Sequence, residues 1–240
     1  MIDFVTFKWT PPFAYRSTFT GEHVNTLARM IGRHYAGDWR LTCVTDDPSG
    51  IDPSIRVVDL AEWDCRGLGG VPSPHAGANP SCYRRLKLWS AQAAEIIGGN
   101  RLCSIDLDCV IVGDLAPIVD RPEPCVLWGD YVNRTTHYNG SMQLITPGAF
   151  ESVFSDFNPS VTPKKTLAAG FHGSDQAWLS MYFGPNAAKW KAEDGVLSYR
   201  IHCRRKGLPD GARVVFFHGP FDPWLPQTQA EAPWIKDHYR

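Results

Sequence analysis

Short apolar runs alternate along the chain with segments in which apolar residues recur at helical spacing. Residues 2–8, rich in Phe, Val and Thr, predict a first strand, and residues 40–45 and 55–60 predict two more. Between the first and second strands, residues 22–35 predict a helix, with Gly37 at the position of a C-terminal cap. The apolar face of this helix comprises Val24, Leu27, Met30, Ile31 and Tyr35. A strand, helix, strand, strand order is typical of the beginning of an alternating α/β sheet.

The same patterns continue after a glycine- and proline-rich loop at residues 64–80. Ser81 is positioned to cap a helix that runs to Gly98, with a buried stripe formed by Leu86, Trp89, Ala93 and Ile97. Further strands are predicted at residues 101–112, 125–128, 142–145 and 214–217, with a turn at residues 138–141. Further helices are predicted at residues 147–154 and after Ser174, the second with Ala177, Trp178, Met181 and Tyr182 as buried positions.

Length and composition favour one compact domain. The chain has 240 residues, 43% hydrophobic and 20% charged, which is ordinary for a globular protein. A formal net charge of -1 gives little support for a nucleic-acid partner. No stretch approaches the roughly 20 apolar residues that a membrane helix needs, and the N-terminus has no signal-peptide pattern. Seven cysteines without a Cys-x-x-Cys pair argue against a disulfide framework and a structural zinc, so we expect a cytoplasmic protein with reduced thiols.

Two carboxylates interrupt the apolar run at residues 101–112. Asp106 and Asp108 are two positions apart, so in an extended strand both would point to the same side. Two unneutralised charges would repel each other and resist burial. A hard divalent cation takes oxygen ligands and would remove this conflict. The pair therefore predicts a metal site, against the simpler interpretation of a turn at a strand end.

Other polar residues are expected near this pair. Ligands of α/β sheets bind beyond the carboxyl ends of the strands, where Lys8, Asp46 and Asp47 also lie. Arg84 and Lys87 are three residues apart in a predicted helix that leads into the acidic strand. They are either a solvated basic face or phosphate contacts. Asp175 at a helix start and His218 after the last strand also have simpler structural explanations.

Taken together, the order of these segments resembles a nucleotide-sugar glycosyltransferase of the GT-A fold, most of all the family 8 group of glycogenin and the lipopolysaccharide galactosyltransferases. Asp106 and Asp108 match the Asp-x-Asp motif of that group. The segment 139–145 resembles its Asn-containing turn and strand, and Asp175-Gln176 resembles its Asp-Gln pair at a helix start. His218-Gly219, with Pro-Trp at 223–224, resembles its closing motif.

The resemblance implies a single α/β domain over residues 1–240, with a mixed, mostly parallel central sheet flanked by helices. Residues 1–112 would form a Rossmann-like nucleotide-binding half, and residues 113–240 the sugar and acceptor half. The implied activity is transfer of a hexose from a nucleotide-sugar, most simply a UDP-sugar, to a saccharide or lipid-linked saccharide, with retention of configuration.

The resemblance also assigns roles to residues. Asp106, Asp108 and His218 would hold Mn²⁺ or Mg²⁺, and Asp175 and Gln176 would act on the sugar. The expected donor-binding residues are Thr6, Lys8, Asp46, Arg84, Lys87, Asp106, Asn139 and Gly219. The motif departs from the family pattern at Gly219, which follows the histidine directly, and at Asp222, which stands where the family has lysine. A diphosphate contact would then come from Arg84, Lys87 or Lys8.

The residues alone leave alternatives open. A carboxylate such as Asp175 could stabilise an oxocarbenium-like transition state, or act as a base if the reaction inverts configuration. Asp-x-Asp also suits a metal-dependent nucleotidyl or phosphoryl enzyme. The altered His-Gly segment is compatible with a binding module without turnover. A peripheral membrane role for residues 200–240 is less favoured, because the basic residues there alternate with acids.

Overall fold

A computed structural model describes residues 1–11, 18–74, 82–130, 133 and 135–240. Its largest element is a seven-stranded sheet with the strand order β3-β2-β1-β4-β7-β6-β8. These strands are β1 (Ile2–Lys8), β2 (Trp39–Thr45), β3 (Arg56–Asp59), β4 (Leu102–Ile105), β6 (Cys125–Gly129), β7 (Tyr138–Ile145) and β8 (Lys189–Trp190). Strands β3, β2, β1 and β4 are parallel to one another, β7 is antiparallel to both neighbours, and β8 is parallel to β6. The predicted mixed, mostly parallel sheet is confirmed.

A second sheet contains three strands in the order β5-β10-β9. They are β5 (Cys109–Ile111), β9 (Val196–Ser198) and β10 (Val214–Phe216). The prediction of one continuous strand over residues 101–112 is therefore wrong. The chain leaves the large sheet after Ile105 and enters the small sheet at Cys109, so Asp106 and Asp108 lie at the junction between the sheets.

Helices cover the sheets. They are α1 (Gly21–His34), α2 (Leu60–Trp63), α3 (Ala91–Ile97), α4 (Ala116–Val119), α5 (Ser152–Ser155), α6 (Thr162–Ala168), α7 (Asp175–Phe183), α8 (Pro226–Glu231) and α9 (Trp234–His238). The predicted helix α1 is confirmed, but it is capped at Tyr35, whose backbone is extended, and not at Gly37. Tyr35 is drawn into the core, where its ring lies 6.0 Å from that of Phe4.

The predicted helix from Ser81 to Gly98 is in fact two helical segments, and Ser81 itself lies outside the described residues. A 3₁₀ helix at Tyr83–Trp89 ends where Ser90 adopts an extended backbone, and α3 follows it. The Ser90 hydroxyl donates to Lys87 O at 2.7 Å, and the first amide of α3 donates to the Glu151 carboxylate at 2.6 Å. These side-chain bonds satisfy backbone groups that a continuous helix would have paired internally.

Two further boundaries differ from the sequence prediction. The predicted turn at residues 138–141 is part of β7, because its backbone pairs with β6. The helix predicted at residues 147–154 is limited to the single turn of α5.

Alternate residues of β1 enter two apolar cores, one on each face of the large sheet. Phe4 belongs to a core with α1 and the small sheet, and Val5 to a core with α3 and α7. Leu86, Trp89, Ala93 and Ile97 are fully buried in the second core, as predicted. Within the described ranges, none of the helices has the length and apolar character needed to span a membrane.

Candidate active site

An open cavity of about 310 Å³ lies beyond the carboxyl ends of β1 and β2. Its lining comprises Lys8, Trp9, Thr10, Thr18, Phe19, Thr20, Gly21, Asp47 and Ser49. The Lys8 ammonium is 3.5 Å from an Asp47 oxygen. The Asp46 carboxylate accepts hydrogen bonds from the Thr10 amide at 2.9 and 3.1 Å, which ties the end of β1 to the loop after β2.

A buried arginine links two of the predicted acids. Arg85 Nη1 donates to Asp106 Oδ1 at 2.7 Å, and Arg85 Nε lies 2.9 Å from Asp175 Oδ2. A third contact joins Arg85 Nη2 to Asp175 Oδ1 at 3.2 Å. The side chains of Arg85 and Asp175 are 6% and 1% exposed, whereas that of Asp106 is 32% exposed. The three residues form a charged cluster, the Arg85 cluster, which is accessible from outside through Asp106.

The pairing favours the charged form of Arg85. Burial acts to lower the pKa of Arg85, but the charges of Asp106 and Asp175 more than offset this and hold its pKa above the usual range. Burial raises the pKa of Asp106, while Arg85 and a hydrogen bond from Ser141 oppose that change. The formal charges of the three groups sum to -1, against -2 for the two acids alone.

Strand β7 forms the floor beneath the cluster. The Gln143 amide Nε2 donates to Gly140 O at 3.3 Å and is 3.5 Å from Asp175 Oδ2. A Cβ added at Gly140 would lie 2.6 Å from Arg85 Nη2 and 3.0 Å from Asp175 Oδ2, so only glycine leaves room there. Asn139 Oδ1 accepts from the Ser141 amide at 2.9 Å.

Helix α7 begins at the cluster. Ser174 Oγ accepts from the Cys82 amide at 3.0 Å and donates to Asp175 Oδ1 at 3.3 Å, so it joins α7 to the segment that carries Arg85. Gln176 is half-buried and folds against Gly173.

The small sheet brings Asp108 and His218 to one edge. Antiparallel pairing matches Phe216 with Cys109, and the Phe217 amide donates to Asp108 O at 2.8 Å. His218 follows directly and stacks on Trp128, with ring centroids 5.5 Å apart and planes 20° apart.

The carboxylate oxygens of the predicted metal ligands suit both Mn²⁺ and Mg²⁺, and an imidazole nitrogen favours Mn²⁺ of the two. In the part of the chain that the structure describes, no three His, Cys, Asp or Glu side chains converge into a metal-binding group. Ions of this kind are commonly bound by one or two protein carboxylates together with substrate phosphates. Asp106 and Asp108 fit that arrangement in kind and in their place at the sheet junction.

The remaining predicted residues lie elsewhere. The Lys87 ammonium donates to Trp63 O at 2.8 Å, so it caps the end of α2 in the protein interior. The Arg84 guanidinium lies 4.5 Å over the ring of Trp9, at the edge of the cavity. Thr6 is fully buried within β1. Gly219 has a φ of +71°, a backbone conformation that other residues seldom adopt.

Arg85 is the functional candidate that the sequence interpretation missed. The spacing of three points to Arg84 and Lys87, whereas Arg85 makes the contacts with the acids. The i, i+4 spacing of Arg85 and Trp89 would place Arg85 beside the buried stripe in an α-helix, but the segment is a 3₁₀ helix.

The fold is similar to those of known proteins, although the sequence is not. Neither a scan against protein-family models nor a search of curated sequences finds a match. Among solved structures, the galactosyltransferase LgtC in complex with donor and acceptor sugar analogs is similar over 98% of this chain and 94% of LgtC, with a TM-score of 0.66 and 15% identity. Mouse xyloside xylosyltransferase 1 in its apo form is similar over 90% of this chain and 97% of that chain, with a TM-score of 0.57 and 12% identity.

The apo form of glycosyltransferase GlyE from Streptococcus pneumoniae TIGR4 is similar over 93% of this chain and 56% of GlyE, with a TM-score of 0.50 and 13% identity. These likenesses show that the chain has the fold of the GT-A glycosyltransferases.

Proposed function

We propose that the protein is a metal-dependent glycosyltransferase that moves a hexose from a nucleotide-sugar, most simply a UDP-sugar, to a saccharide or lipid-linked saccharide, with retention of configuration. The observation that carries this proposal is the Arg85 cluster. It joins an accessible acid at the sheet junction, Asp106, to a buried acid at the start of α7, Asp175.

The nucleoside of the donor would occupy the cavity beyond β1 and β2. This cavity has the size of a small-ligand pocket and mixes aromatic with polar side chains. Trp9 offers an aromatic face, and Lys8 and Asp47 offer hydrogen-bonding groups.

The diphosphate would then lie at the sheet junction. Asp106, Asp108 and His218 would hold Mn²⁺ or Mg²⁺ there. Such an ion, when bound, stabilises the negative charge that develops on a departing diphosphate.

The sugar would lie over the Arg85 cluster. Asn139 and Gln176 would contact it from β7 and α7. Both oxygens of the Asp175 carboxylate pair with Arg85, at 2.9 and 3.2 Å. A carboxylate held at both oxygens is fixed in place, as electrostatic stabilisation of positive charge at the anomeric carbon requires. This pairing supports retention over inversion by a general base.

Calorimetry with UDP, GDP and ADP, with and without Mn²⁺, tests the donor and metal assignments. We expect one nucleoside diphosphate, most simply UDP, to bind only with the ion present. Asp108→Ala should abolish this metal-dependent binding. Equal binding in the presence of a chelator would refute the metal assignment.

Turnover is tested separately by slow hydrolysis of a panel of sugar nucleotides with Mn²⁺. Asp175→Asn should abolish hydrolysis while leaving metal-dependent nucleotide binding measurable. Binding without hydrolysis of any donor, even with saccharide acceptors added, would instead identify a binding module.

A further inference from the structure

A basic residue, Arg200, follows the strand of the small sheet that lies beside β10. Strand β9 runs parallel to β10, and Ser198 pairs with Phe216. Directly after these strands, the rings of Tyr199 and Phe217 stack with centroids 4.6 Å apart. Arg200 and His218 are the next residues of the two segments. Asp108 lies opposite Phe217, whose amide donates to Asp108 O.

The backbone after β9 brings this arginine close to the segment that follows β10. Residues Tyr199–Cys203 form a single π-helical turn. Arg200 Nη1 lies 3.5 Å from the position that a Cβ of Gly219 would take. The guanidinium therefore lies over the left-handed turn that follows His218.

Arg200 differs from its basic neighbours in its contacts. Arg204 and Arg205 lie 3.0 and 3.5 Å from the carboxylate of Glu231, and Arg204 also stacks on Phe221. Arg200 is exposed and, among the described residues, makes neither a hydrogen bond nor an ion pair. An exposed arginine over the turn that follows His218, without a carboxylate partner among the described residues, is suited to an anionic ligand.

We propose that Arg200 binds the phosphate groups of the donor and of the nucleoside diphosphate product. This inference rests on the proposed function and assigns to Arg200 a positive charge next to the segment that carries His218. Asp222, at the position where a cationic contact was expected, is acidic and nearly fully buried, so it does not supply that charge. A guanidinium can donate two parallel hydrogen bonds to phosphate oxygens, which a lysine cannot.

The test compares Arg200→Gln, Arg200→Lys and the control Arg205→Gln, which removes one exposed positive charge from the same segment. Affinities for UDP and for uridine are measured by calorimetry with Mn²⁺, and folding is checked by the thermal unfolding midpoint. We expect Arg200→Gln to weaken UDP binding about tenfold or more, the scale of one charged hydrogen bond, with uridine binding unchanged. Arg200→Lys should recover part of the loss, and Arg205→Gln should bind UDP like the wild type.

Wild-type affinity for UDP in Arg200→Gln would overturn the inference and leave the proposed function intact. Equal losses for UDP and uridine would also overturn it, because they would show an effect on the fold of the site. A wild-type protein that binds none of UDP, GDP and ADP with Mn²⁺ would instead overturn the proposed function, and this inference with it.

Discussion

A guanidinium in the protein interior must find its counter-charges there, and Arg85 finds two. Its partner Asp175 is itself buried, so each group compensates the desolvation of the other. The ion pair as a whole adds little to the free energy of unfolding. Each member is nevertheless needed, since removal of its partner leaves buried charge less well compensated.

Arg85→Met should therefore lower the free energy of unfolding by about 3–5 kcal/mol, because Asp175 loses its counter-charge. Arg84→Met, one position earlier, should cost only about 1 kcal/mol, since Arg84 stacks on Trp9 at the cavity edge. Urea denaturation of both variants measures the difference. Equal losses would contradict the role given to Arg85.

For individual residues, the sequence indicates which acidic residues belong to the site but not which basic residue forms ion pairs with them. Asp106 and Asp175 stand out because an acid in or beside a buried element needs a reason. The choice among Arg84, Arg85 and Lys87 depends on helix geometry, and the segment is a 3₁₀ helix with three residues per turn. The α-helical spacing used to interpret it was therefore the wrong template.

Strand β7 shows how one element positions several groups of the site. It carries Asn139, Gly140 and Gln143, and its pairing with β6 shifts register between Asn139 and Gln143. Its first residues have the composition of a turn, and the sequence predicted one. Local preference for a turn was overridden by pairing with the preceding strand, β6, which the composition of the segment does not reveal.

Gly140→Ala is expected to disrupt the Arg85 cluster, because the new methyl group would lie 2.6 Å from Arg85 Nη2. We expect a loss of about 1–3 kcal/mol in unfolding free energy, typical of overpacking, and a loss of donor hydrolysis.

The matched control is Gly129→Ala on the neighbouring strand β6, where the nearest atom to the new Cβ is 3.4 Å away. Wild-type hydrolysis in Gly140→Ala, or a comparable loss in Gly129→Ala, would count against the glycine requirement at the cluster.

For the whole molecule, Trp128 connects the two sheets. It belongs to β6 of the large sheet, its ring lies 4.7 Å from that of Phe216 in β10, and its Nε1 donates to Val196 O in β9 at 3.3 Å. The same ring stacks on His218. Trp128 thus fixes the small sheet, and the histidine at its edge, against the large one.

Trp128→Phe should lower the free energy of unfolding by about 1–3 kcal/mol, through the lost hydrogen bond and lost packing, and should weaken Mn²⁺-dependent UDP binding. Trp39→Phe, at the opposite end of the large sheet and only half-buried, should cost less than about 1 kcal/mol and leave UDP binding unchanged. Calorimetry and urea denaturation on the same preparations measure both effects. Unchanged UDP binding in Trp128→Phe would show that the stack does not position His218.

The overall architecture was accessible from sequence because its strongest signals are local. The strand at residues 2–8, the amphipathic helix α1 and the order of elements follow from periodicity alone. The division of β4 and β5 between two sheets was not accessible, because both strands are equally apolar and buried. Only their partners distinguish them.

Because β4 and β5 belong to different sheets, the relative position of Asp106 and Asp108 depends on both sheets. Just three residues, 106–108, join the last residue of β4 to the first residue of β5. Asp106 is anchored by its amide to Ser141 O in the large sheet, and Asp108 O is bonded to the Phe217 amide of the segment that leaves the small sheet. The gap between the carboxylates is therefore set by the distance between the sheets. A core substitution far from the junction that moves one sheet against the other is expected to change the spacing of the two acids, and with it the size of cation that the proposed metal site accepts.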